Sequence, residues 1–219
     1  MDSLILTFNQ KQMQIYKELI SQENIDLNFN TDLQIEKVNY DFDNIISDIE
    51  KEAIELLKFK KNSVSFSAFL TVEEIKMFIP IYYKAIRNIN NHKIKIGANS
   101  WELSLKIEEI NKIIANINQR YSDFLPYKAA LYNREKYAFE IEKLDAQFKS
   151  SIEKANNYKK ELLQYFNKAS KICDIISEFF SKSSKATDEP KFKKFDAYDF
   201  FWTLDAFLEQ LKSIKQKEM

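Results

Sequence analysis

Arg87 and His92 are the residues of this chain best suited to chemistry. They stand in the run Arg87-Asn88-Ile89-Asn90-Asn91-His92, and the chain holds one histidine, His 1. A guanidinium grips a phosphate with a fixed fork of donors. An imidazole moves protons near neutral pH. Metal-free cleavage of RNA by its own 2′-hydroxyl needs a base, an acid for the leaving oxygen, and stabilisation of the charge built up at phosphorus. One histidine does not easily make both proton transfers. Two copies about a twofold axis bring two arginines and two histidines into one cleft. Lys84, Lys93 and Lys95 extend the run into a basic cluster suited to RNA phosphate. The same lysines fit an ordinary solvated helix end.

The element that must position this run begins at a capping box, Thr71 with Glu74. Val72, Ile75, Phe78, Ile79, Tyr82, Ile86 and Ile89 follow at helical spacing. Pro80 inside that pattern predicts a kink or a break. Lys93, Lys95 and Gly97 suit the helix end and its exit. On a helix, residues five apart are separated by about 140° and roughly 7.5 Å. Arg87 and His92 can therefore meet one phosphate if the helix stops at the histidine. Tyr82, Tyr83 and Trp101 are aromatic neighbours that can stack on bases, with core packing as the more ordinary use of such rings.

The rest of the chain also reads as helical. Residues 10–20 form a short amphipathic helix, and 24–30 a polar connection. Thr31 and Gln34 have capping-box spacing for a second helix, with a restart at Asp41 or Asp43 that carries Phe42, Ile45, Ile46, Ile49, Ala53 and Leu57 on one face. In 62–69 apolar residues alternate with serines, which predicts a short strand or an extended loop, the loop being favoured because no partner strand is obvious. A further helix is expected from about Ser100 to Tyr121, with Pro126 closing it or starting the next. Residues 127–181 contain no glycine or proline. There Tyr137, Ile141, Leu144, Phe148, Ile152, Ala155, Tyr158, Leu162, Phe166, Ala169, Cys173, Ile176 and Phe180 step by threes and fours. Residues 127–182 read as a long helical arm, or as a hairpin turning near Asn156-Asn157. Residues 181–194 read as an exposed loop, and Asp196 as the cap of a last helix.

Gly 1 and Pro 3 leave few residues for tight hairpins, so the fold class is all-α. The reading is a single domain, 1–219, built as a helical bundle with one long helix or helical hairpin. Lys+Arg 33 balances Asp+Glu 33, which argues against a generic polyanion binder and for a local basic patch. Cys 1 excludes an intrachain disulfide and a cysteine-rich zinc site, and no carboxylate spacing suggests a metal, so neither metal nor cofactor is expected. Cys173 lies on the long stripe and reads as a small core residue. The N-terminal residues lack a basic leader, and no run is long and apolar enough to span a membrane, so a cytoplasmic protein is expected.

The Arg-polar-x-x-x-His pattern, with Asn88 at the polar position, resembles the signature of the HEPN superfamily. That superfamily comprises all-helical proteins, among them toxins, abortive-infection proteins and the nuclease domains of CRISPR effectors. The resemblance covers this short segment and the all-α composition. It implies a metal-independent endoribonuclease with a composite site at a dimer interface, in antiphage defence or a toxin system. It assigns catalysis to Arg87, His92 and Asn88, with RNA as substrate. The long stripe exceeds what a minimal HEPN bundle needs, which leaves an inserted arm or a different fold open. The alternative is a non-catalytic all-α interaction protein, or a degenerate HEPN RNA-binding protein. Its long helix would then pair with a second copy or a partner helix.

Overall fold

The computed structural model describes residues 2–60, 70–189, 192 and 195–216. The serine-alternating stretch 62–69 lies outside them. Among the described residues there are six helices and no strand: α1 (Asp2–Ile5), α2 (Gln10–Ser21), α3 (Phe42–Leu57), α4 (Val72–Leu131), α5 (Glu135–Thr187) and α6 (Ala197–Gln216). The all-α expectation holds. No helix of the described residues is long and apolar enough to cross a membrane.

Several expected boundaries are wrong. α4 runs for 60 residues through Pro80, Gly97 and Pro126. It does not end after His92, and no new helix starts at Ser100. Ile89, Ile96 and Leu103 are fully buried around Gly97. Packing of this stripe outweighs the helix-breaking propensity of one glycine, which is only about 1 kcal/mol. Pro126 removes the donor that would serve the Ser122 carbonyl. The buried Gln12 side chain fills that role, donating from Nε2 to Ser122 O at 2.8 Å. A Cβ at Gly97 would meet nothing within 4 Å. Gly97→Ala is therefore expected to stabilise the protein by about 0.5–1 kcal/mol, because helical glycine carries an entropic cost without a packing benefit here. A thermal transition that stays put or falls would contradict this.

The chain divides into two compact units, and both long helices contribute to each. Unit 1 comprises residues 1–38 and 105–163. Its core gathers Ile117, Phe124, Leu131, Tyr137, Ile141, Leu144 and Phe148. The turn between the long helices falls at 132–134, not at Asn156-Asn157. Thr31 starts no helix. Residues 22–38 instead form a strap in which Ile25, Leu27, Phe29, Thr31, Leu33 and Ile35 are half-buried and their neighbours exposed. That period of two belongs to an extended chain. Among the described residues the strap has no strand partner, and helix side chains bond its backbone instead. Arg120 donates to Asn30 O at 2.8 Å, Ser151 to Thr31 O at 2.8 Å, and Tyr158 to Glu36 O at 2.6 Å. Tyr137 accepts from the Ile25 amide at 2.9 Å.

Unit 2 comprises residues 39–104 and 164–219 and carries the Arg87–His92 run. Its caps follow the sequence reading. Thr71 and Glu74 exchange bonds at 2.6 and 3.2 Å, Asp41 accepts from the Asn44 amide at 3.0 Å, and Asp196 from the Asp199 amide at 3.0 Å. α3 packs on α6, where Lys215 reaches Glu50 at 2.5 Å. Phe78 and Phe200 centre an aromatic core 5.3 Å apart, and Phe179 stacks on Phe207 at 4.3 Å. α5 continues to Thr187, so the first half of the expected 181–194 loop, residues 181–187, is helix.

Candidate functional site

An uninterrupted α4 sets the geometry of the motif. Its inner face is buried through Tyr82, Ala85, Ile89 and Ile96. Two stripes flank that face. Tyr83, Ile86, Arg87 and Asn90 line an open cleft of about 780 Å³. Phe180, Ser184 and Lys185 of α5 line the same cleft, with Glu189 beyond the helix end. Asn88, His92 and Lys95 recur at four and three residues on another stripe. Asn88 Nδ2 donates to Glu52 Oε1 of α3 at 2.8 Å. Lys51, 2.9 Å away, holds the Asp48 carboxyl of α3 below its usual range, with smaller pulls from His92 and Lys95.

The structure thus separates the residues that the motif joins in sequence. Arg87 is exposed and lines the cleft. His92 is half-buried, bears on Asp48 and does not line it. Within one chain the roughly 140° between them persists, because the helix does not stop. Asn88 is engaged with α3. Of the basic cluster, Lys84 and Lys95 are exposed, while Lys93 is half-buried and its carbonyl accepts from the Cys173 thiol at 3.9 Å. Burial pushes the Cys173 thiol up, which suits a packing residue rather than a nucleophile.

The aromatics divide in the same way. Tyr82 is buried against Phe78, Phe192 and Phe200. Burial pushes its hydroxyl up, with hydrogen bonds from Thr187 and Ser183 acting the other way, and Glu189 accepts from it at 3.3 Å. Tyr83 meets Phe192 edge-on at 5.7 Å. Trp101 is 67% exposed.

Lys185 and Ser184 were missed as site residues because their segment reads as a loop. A signal was there: Phe179, Ser183, Ala186 and Thr187 keep helical spacing, and all four are buried. Among the described residues, neither Arg87 nor Lys185 has a side-chain hydrogen bond or ion pair. Among the same residues, no three His, Cys, Asp or Glu side chains gather as a metal ligand set. Comparison with protein-family models, curated proteins and solved structures finds no match to this chain.

Proposed function

We propose that the protein is a HEPN-type, metal-independent endoribonuclease, acting in the cytoplasm as a pair of chains in antiphage defence or a toxin system. The observation that carries this reading is Arg87, exposed on an open cleft that a second exposed cation, Lys185, also lines. Such a pair holds an RNA phosphate. Because His92 lies on the other flank of α4, a single chain does not present both side chains to one phosphate. The reading therefore requires a second copy, whose residues complete the site. Ile94 and Trp101 support this pairing. They follow Arg87 at seven-residue intervals on α4 and are 63% and 67% exposed. A stripe of that spacing buries itself against another helix.

The test is cleavage of labelled single-stranded RNA by the purified chain in EDTA. Cleavage undiminished by the chelator is expected. Cleavage that appears only with added Mg²⁺ or Mn²⁺ contradicts the reading.

A second reading, an all-α interaction protein, is favoured by α6. There Tyr198 and Trp202 stack at 6.3 Å while 66% and 69% exposed. Under it, loss of Arg87 or His92 leaves function untouched, and loss of Trp202 does not.

A further inference from the structure

The cleft beside Arg87 has a composition that neither cleavage nor the sequence motif requires. Arg87 on α4 and Lys185 on α5 place two cations on one cavity, in a chain of formal net charge +0. Like charges that share a cavity repel, so an anion held between them relieves repulsion as well as adding attraction. Asn90 and Ser184 add neutral donors on the same lining, and Phe180 and Tyr83 add planar rings. Glu189, also on the lining, already accepts from Tyr82. Its carboxylate brings the formal charge of the lining to one positive without pairing with either cation. A lining with one uncompensated positive charge suits a monophosphate better than a triphosphate. Rings beside the cations suit a flat base attached to that phosphate. A cleft of about 780 Å³ is wide enough for a mononucleotide.

We propose that this cleft binds a nucleoside monophosphate, either free or as the phosphorylated end of a strand, with Arg87 and Lys185 on the phosphate and the base against Phe180 and Tyr83. The site lies within unit 2 of one chain. It shares the Arg87 and Lys185 cations with the ribonuclease reading but needs neither His92 nor a second copy, so it stands where cleavage fails.

Titration calorimetry on the full chain tests this with adenosine monophosphate, adenosine and inorganic phosphate as probes. Adenosine monophosphate is expected to bind at least about tenfold more tightly than either fragment, because both halves of the site contribute. Lys185→Ala and Arg87→Ala should each weaken it by about tenfold or more. Both side chains are exposed, so folding is not at stake, and circular dichroism checks this. Lys171→Ala, an exposed lysine elsewhere on α5, should bind as the parent does and so control for net charge. A 5′-phosphorylated trinucleotide that displaces adenosine monophosphate, where its 5′-hydroxyl counterpart does not, assigns the site to strand ends. Nucleotide binding without such displacement assigns it to the free nucleotide. No binding at millimolar adenosine monophosphate overturns the proposal. So does affinity equal to that of phosphate alone, or affinity that survives both substitutions. If RNA is left uncleaved while nucleotide binding is present and lost in Lys185→Ala, the ribonuclease reading alone falls.

Discussion

Phe148→Asp is expected to abolish the folded state of unit 1. Phe148 is fully buried, and the rings of Phe124, Tyr121 and Phe29 lie 5.4, 5.5 and 6.3 Å away. Deleting a buried phenyl ring costs about 3–5 kcal/mol. An unpaired carboxylate in its place adds several more. Together these rival the whole stability of an ordinary domain, roughly 5–15 kcal/mol. Phe139 provides the control on the same helix: it is 81% exposed, and Phe139→Asp should change stability by no more than about 0.5 kcal/mol. Circular dichroism melting of the two variants reads the difference. Both tryptophans, Trp101 and Trp202, belong to unit 2, so their fluorescence follows that unit separately. Coincident melting curves for the two variants would contradict the packing described for α5.

The same stripe shows how far the sequence carries. Ile141, Leu144, Phe148, Ala155, Leu162, Ala169 and Ile176 are buried where their spacing predicts. Ile152, Tyr158, Phe166 and Phe180 are only half-buried. A stripe that steps by threes and fours drifts around a straight helix, so not every member faces inward. Local capping was legible at Thr71, Asp41 and Asp196, because those bonds close within three or four residues. What misled was punctuation. Gly97 and Pro126 read as helix boundaries and Pro80 as a kink or a break, but α4 is continuous through all three, and at Pro126 the compensating donor, Gln12, is distant in sequence. The strap was misread for the opposite reason. The alternation of Ile25, Leu27, Phe29, Leu33 and Ile35 was visible, but the chance capping spacing of Thr31 and Gln34 hid it. Arg87 was legible as a candidate phosphate ligand. Its partner Lys185 was not, since nothing local to either residue links them.

The second large effect concerns chemistry. His92→Ala is expected to lower RNA cleavage by about a thousandfold, the scale of losing a proton-transfer group. It should leave the helical spectrum intact, because His92 is half-buried at the surface of α4 and outside its core stripe. Arg87→Ala should remove cleavage and also weaken RNA binding, since its fork holds the phosphate. Normal RNA binding by Arg87→Ala would remove Arg87 from the phosphate site. Unchanged cleavage by His92→Ala would remove the histidine from the mechanism.

The central claim is that two chains complete one site, each providing one of the two proton-transfer groups. Mixing wild-type chain with His92→Ala at equal amounts, after subunit exchange, tests it most directly. If both histidines must be present, only wild-type pairs are active, and random pairing leaves about a quarter of the wild-type activity. About half would mean that one histidine per site suffices, and would contradict a site to which each chain brings a proton-transfer group.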